Sequence, residues 1–248
     1  MCKVEYLITA IKERSEREMM DDAAVFSVLS KCFGSVEKDE WRRLTRSATW
    51  AEFTDGVRRL LQDDTRFGKQ ASPIERMHVR VPMQEFLSNN EVDELFCPPL
   101  FDEKQGFAAR HFTGGLPQSA IPVESLYTDW STPGNVNPLI GKQKGLYLGA
   151  SARYMRALIE QLGLEVPAEY ADCPDHLALE LDLVAVLLRS GMDAEARRFV
   201  AERFDWLTDY RLKLLKLDDD ARFYISLVDV ILGICAEQRA ESESGQTA

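Results

Sequence analysis

Histidine is scarce in this chain, three residues among 248, and His78, His111 and His176 stand too far apart to form a local metal cage. The glycine loops of nucleotide sites are missing too. There is no G-x-G-x-x-G and no P-loop, and Gly149-Ala150-Ser151-Ala152-Arg153 fails the G-x-S-x-G pattern at its last position. Nucleotide binding and serine-hydrolase chemistry therefore lack their backbone devices. The five cysteines, Cys2, Cys32, Cys97, Cys173 and Cys235, are odd in number and form no C-x-x-C pair. That excludes a disulfide framework and suits a reducing cytoplasm. Long apolar runs are absent: the longest, residues 223–236, is too short for a bilayer and contains Asp229. The first twenty residues carry charge through their apolar part, so neither a secretory leader nor stable membrane insertion is expected. Cations are in deficit, with 30 Lys plus Arg against 41 Asp plus Glu and a net charge of −11. Charge-driven binding to nucleic acid or to an anionic membrane is thereby disfavoured, and any charged partner is expected to be basic.

What is present is helical periodicity in a globular composition, 45% hydrophobic and 29% charged. No Asn-Gly or Asp-Gly turn lies between two alternating apolar runs, so the fold class expected is all-α, a large helical domain of about ten helices. One helix is expected over 3–19, and a second from Asp21 or Asp22 with Val25, Phe26, Leu29 and Phe33 as its stripe. Short amphipathic pieces follow around Trp41 and Leu44. Thr49 with Glu52 reads as a capping box for a helix burying Phe53, Val57 and Leu60, and Ser72-Pro73-Ile74-Glu75 repeats the device for a helix that Pro82 should kink or end. Between residues 97 and 139, Pro98, Pro99, Gly106, Gly114, Gly115, Pro117, Pro122, Pro133, Gly134 and Pro138 interrupt every periodic run. This stretch is expected to be irregular, either joining two helical lobes or forming part of a site. Helices then resume over 142–162 and 174–190, closed by Gly163 and Gly191, and over 193–204, 206–216 and 219–239. The expected organisation is an N-terminal extension at 1–20, the helical domain at 21–240 and a frayed tail at 241–248.

Candidate chemistry gathers in one place. Residues 157–188 contain no Lys or Arg but seven acids: Glu160, Glu165, Glu169, Asp172, Asp175, Glu180 and Asp182. First-turn carboxylates answer the helix dipole, and the functional alternative is an acidic rim for a cationic ligand. His176 and Glu180, at i and i+4, read as a hydrogen bond on a helix surface and not as a metal pair, since the second histidine of a zinc helix is missing. An enzyme using Cys173, Asp175 and His176 as nucleophile and acid/base groups is a second reading, and a generic helical adaptor a third. Phe112, Tyr127, Trp206, Tyr154 and Met155 all have a plain reading as packing residues.

Two segments carry a resemblance. Asp172-Cys173-Pro174-Asp175-His176 followed by Leu177-Ala178-Leu179-Glu180-Leu181 is similar to the Glu-Pro-x-Asp-His signature, and its following helix, of the TorD/DmsD-type chaperones of redox-enzyme maturation, which include the relatives of NarJ. Ile121-Pro122-Val123-Glu124-Ser125-Leu126-Tyr127 resembles that family's proline, Ser and aromatic pattern. Phe112-Thr113-Gly114-Gly115, the interval from Gly149 through Gly163 to the Asp-His pair, Phe204-Asp205-Trp206 and residues 26–33 follow the same order, so that the resemblance runs from about residue 22 to 236. Asp172 stands where the family usually has Glu, Cys173 where proline is common, and Val123 where an aromatic is frequent. The resemblance implies an all-helical protein without catalysis or cofactor. It would bind the twin-arginine signal peptide, and often the catalytic subunit itself, of a molybdopterin-containing oxidoreductase until the cofactor is loaded. A twin-arginine leader needs carboxylates beside an apolar groove. Asp175, with Asp172 and Glu124, is the expected carboxylate set, and Phe112, Pro122, Val123, Tyr127 and Trp206 the expected groove. Pro174, His176 and Ser125 complete the motifs, and Gly149 would permit close approach. On this reading Asp175→Ala weakens peptide binding and leaves the fold intact.

Overall fold

The computed structural model describes residues 20–61, 96–114, 118–128 and 148–245, with side chains through 239. The expected helix over 3–19, the Ser72-Pro73 start, Pro82, His78, Cys2, the breakers at 115, 117, 133, 134 and 138, and residues 142–147 lie outside the described residues. The all-α class holds. No strand occurs among the described residues, and the one isolated antiparallel bridge joins Val123 to His176.

Helix α1, Asp22–Phe33, begins where a carboxylate is available: the Asp21 side chain accepts from the Ala24 amide at 2.6 Å. It buries the predicted Val25, Phe26, Leu29 and Phe33. Helix α2, Lys38–Leu44, is the short amphipathic piece around Trp41. Helix α3, Ser47–Leu61, buries Phe53 and Val57 and leaves Leu60 half-buried. It starts two residues before the expected cap, so Thr49 sits within the first turn.

The 97–139 stretch is not irregular throughout. Phe101–His111 forms helix α4, opened by the Glu103 carboxylate accepting from the Leu100 amide at 2.8 Å. Its periodicity is masked in sequence because the face turned inward carries Lys104, only 2% exposed. That ammonium donates to the Gly34 carbonyl at 2.7 Å and lies 5.3 Å from the Trp41 ring centre, so a cation stands where an apolar residue would signal a helix. Two indoles fix the approach to α4: Trp41 donates to the Pro99 carbonyl (2.9 Å) and Trp50 to that of Phe96 (2.7 Å).

The C-terminal half contains α5 (Ala150–Gln161), α6 (Leu177–Arg189), α7 (Asp193–Arg203), α8 (Leu207–Leu214) and α9 (Arg222–Gly245). Gly163 and Gly191 end α5 and α6 at φ +73° and +71°, the left-handed conformation that glycine adopts without a Cβ penalty. Starts are less well placed by the sequence. Helix α5 opens at Ala150 behind an extended Gly149, not at 142, and α6 opens at Leu177, because Pro174, Asp175 and His176 form the turn that precedes it. The backbone of α9 stays helical through Gly245, beyond the expected fraying at 241. Packing then unites the halves: α1 lies on α6 and α3, and α9 lies on α3, α7 and α8. One hydrophobic cluster runs from Val25 to Cys235, so helices from both sides of the 97–139 stretch share a core.

A candidate ligand site at two clasped motifs

The two sequence motifs lie against each other. The Glu124 amide donates to the Asp175 carbonyl at 3.0 Å and the Leu177 amide to that of Pro122 at 2.9 Å, which is the bridge pairing of Val123 with His176. The Asp175 carboxylate closes the clasp: its Oδ2 accepts from the Ser125 amide at 2.8 Å and from the Ser125 hydroxyl. Upstream, the Ala120 amide donates to the His111 carbonyl at 2.7 Å, so α4 delivers the segment to this position. The His176 ring caps α6, Nδ1 accepting from the Ala178 amide at 3.1 Å. An imidazole can accept there only when that nitrogen is unprotonated. Burial, helped by the Lys104 charge, lowers the His176 pKa to about 4 and keeps the ring neutral.

Behind the clasp lies a group of enclosed carboxylates. Glu124, Asp175 and Glu180 are 2%, 0% and 0% exposed. Arg203 of α7 pairs with Glu124 and stacks on the Tyr154 ring at 4.8 Å. The Trp206 indole donates to Glu180 Oε2 at 3.3 Å. Burial raises the pKa of Glu124, against the pull of Arg203, and raises that of Glu180 well above the usual carboxyl range, with the Glu124 charge adding to it. That direction favours a protonated, neutral Glu180 beside a Glu124 that is matched by Arg203.

That protonation has a sign. A carboxyl whose folded pKa is raised binds a proton that the unfolded chain has released, so its contribution declines as pH rises above the unfolded value. Glu180→Gln, which keeps a neutral donor, should be at least as stable as wild type at pH 8, with the difference shrinking toward pH 4.5. Urea midpoints at both pH values check this; a gap that does not change with pH would remove Glu180 as the titrating group.

Residues 103–217, which contain most of α4, the clasp and α5 to α8, match the family described as nitrate reductase delta subunit. The chain is also similar to proteins named chaperone protein TorD. That of Shewanella piezotolerans is 29% identical over 123 residues, covering 49% of this chain and 54% of the relative. That of Shewanella pealeana is 31% identical over 117 residues, covering 47% and 50%. Through this region the chain is similar to both the delta-subunit family and the proteins named TorD. It spans about half the length of the curated relatives it matches.

The expected site residues separate by depth. Pro122, Val123, Glu124, Ser125, Pro174, Asp175, His176 and Trp206 are buried; Phe112, Tyr127 and Gly149 are half-buried; Asp172 is exposed. The rings expected to line an open groove pack on each other instead. Tyr127 stacks on Trp206 with centroids 5.5 Å apart, Tyr210 touches both, and Phe112 meets Phe33, Phe107 and Tyr224. Gly149 is the N-cap of α5 at φ −62°, a conformation open to any residue. The acidic window also divides: Glu160, Glu165, Glu169, Asp172 and Asp182 face solvent, while Asp175 and Glu180 face inward. His176 and Glu180 are therefore a buried cap and a buried acid, not a surface hydrogen bond.

The Cys173, Asp175, His176 reading fares poorly on geometry. Burial and the Asp175 and Asp172 charges raise the Cys173 thiol, and the imidazole nitrogen Nδ1 is committed to the α6 cap. A thiol pushed up beside a ring pushed down does not form a thiolate–imidazolium pair. No His/Cys/Asp/Glu cluster suited to a metal occurs among the described residues, and no helix there is long and apolar enough to cross a membrane. The sequence reading missed the Glu180–Glu124–Arg203 link, although one signal was available: Glu180 falls on the same apolar stripe as Leu177, Leu181 and Val184.

Proposed function

We propose that this protein is a maturation chaperone that binds the twin-arginine signal peptide, or the apo-form, of a molybdopterin-containing oxidoreductase until its cofactor is inserted. The observation that carries the reading is the clasp of residues 121–127 on residues 172–177, which brings the buried acids Glu124 and Asp175 together, with Glu180 behind them and exposed Asp172 in the same segment. A guanidinium pairs with carboxylate through two parallel hydrogen bonds, and the apolar residues of a leader would follow along half-buried aromatic edges. Exposed Asp172 and half-buried Phe112, Tyr127 and Gly149 would make first contact. Pro122, Val123, Glu124, Ser125, Pro174, Asp175, His176 and Trp206 would shape and charge the site behind them. The relatives named as chaperones support the same class.

Calorimetric titration of the full chain with a twin-arginine leader peptide tests this. Replacing both arginines by lysine should weaken binding, because an ammonium lacks the planar fork. Asp172→Ala should weaken it by roughly twofold to fivefold, as expected for one exposed ion pair, with no change in melting temperature. Equal binding of the arginine and lysine peptides would overturn the recognition chemistry. No binding of either, together with capture of the purified apo-subunit, would move the reading from leader to enzyme body.

A further inference from the structure

The cation that pairs with the enclosed carboxylates comes from the protein itself. Arg203 is 8% exposed and reaches Glu124 from the last turn of α7. Its outer neighbour is Tyr154, whose ring is 4.8 Å from the guanidinium and whose residue is 44% exposed. The guanidinium thus lies one side chain below the surface, between an aromatic face and a carboxylate, which is a complete guanidinium-binding arrangement. More acceptor capacity is present than Arg203 uses. Three carboxyl groups converge there, and Oδ1 of the fully buried Asp175 has no hydrogen-bond donor. A buried acceptor left without a donor is unfavourable, so the cluster favours any further N–H group that reaches it.

We infer that Arg203 is an internal competitor: it fills the guanidinium place from within, and an arginine of a bound peptide enters by displacing it outward past Tyr154. The inference rests on the proposed function, since it names how the same site is occupied before its ligand arrives. The closed arrangement keeps the carboxylates out of reach of stray cations and lowers apparent affinity by the fraction of molecules that are open. A leader lacking arginine has no group able to replace the one displaced, so the competitor also sharpens selection.

Two variants and one small probe test this on the full chain. Tyr154→Ala removes only the outer stack, and should tighten binding of the twin-arginine peptide by roughly twofold to fivefold, the loss of one partly exposed cation–π contact. Arg203→Ala removes the competitor and leaves the carboxylates without their cation. Millimolar methylguanidinium should raise its melting temperature more than that of wild type, and the twin-arginine peptide should bind it at least roughly tenfold more tightly. Peptide binding by wild type that is unchanged or weaker in Tyr154→Ala overturns the competitor while sparing the proposed function. An Arg203→Ala protein that folds but gains nothing from methylguanidinium overturns it as well. If wild type binds no twin-arginine peptide, the competitor and the signal-peptide reading fall together.

Discussion

Asp175→Ala should unfold far more readily than wild type, losing about 3–5 kcal/mol, the range for removing one partner from a buried, charge-assisted contact. The size follows from what one carboxylate oxygen holds. Oδ2 accepts from both the amide and the hydroxyl of Ser125, fifty residues away, and these bonds pin the 121–127 segment on the start of α6. Without the carboxylate, the Ser125 amide is left in a buried place with no acceptor and the bridge from Val123 to His176 loses its neighbour. Asp175→Asn keeps one acceptor of similar shape and should lose roughly half as much. Urea unfolding followed by far-ultraviolet circular dichroism reads both. A loss under about 1 kcal/mol for Asp175→Ala would show that the clasp is held by its backbone pairing alone. The outcome bears directly on function: weakened peptide binding in Asp175→Ala cannot be assigned to a lost contact until the folded fraction is known. Exposed Asp172 is the cleaner probe for that reason.

Legibility in the sequence tracks the distance over which each feature is decided. The start of α1 at Asp21 or Asp22, its apolar stripe and the glycine stops at 163 and 191 depend on neighbours within four residues, and all are found where the sequence places them. Helix α4 was hidden because Lys104 is stabilised by a carbonyl seventy positions away, a partner that no local pattern contains. The motifs themselves were legible as strings, yet the string does not say whether an acid faces out or in. Asp175 and Asp172 differ by three positions and lie at opposite extremes of burial, since the turn before α6 rotates one toward Ser125 and leaves the other in solvent. Pairing of Glu124 with Arg203, across 79 positions, requires the packed positions of the 121–127 segment and α7. The aromatic residues read as a groove were identified correctly as large apolar surfaces, but Trp206 and Tyr127 satisfy each other before any ligand does.

Acidification from pH 6.5 to 4 should cost the protein about 3 kcal/mol through His176 alone, the equivalent of a pKa that falls from 6.5 to about 4 on folding. The sign is fixed by which state holds the proton. Below pH 6.5 the unfolded chain protonates this histidine while the folded chain does not, so each step down in pH favours unfolding until the folded ring also takes a proton near pH 4. The cause is local: the ring is 8% exposed beside Tyr170, its Nδ1 is an acceptor for the Ala178 amide, and the Lys104 ammonium opposes a second positive charge. Protonation would therefore break the α6 cap as well as bury a cation. Glu180 and Glu124 act in the opposite direction over the acid range, gaining stability as pH falls, so the wild-type curve is the difference of two trends. His176→Asn separates them. Asparagine is a strong helix cap and does not titrate, so this variant should match wild type near pH 7.5 to within about 1 kcal/mol and stand well above it at pH 4.5. Urea midpoints at those two pH values decide the matter, and a variant that loses stability in parallel with wild type as pH falls would place the acid sensitivity elsewhere in the fold.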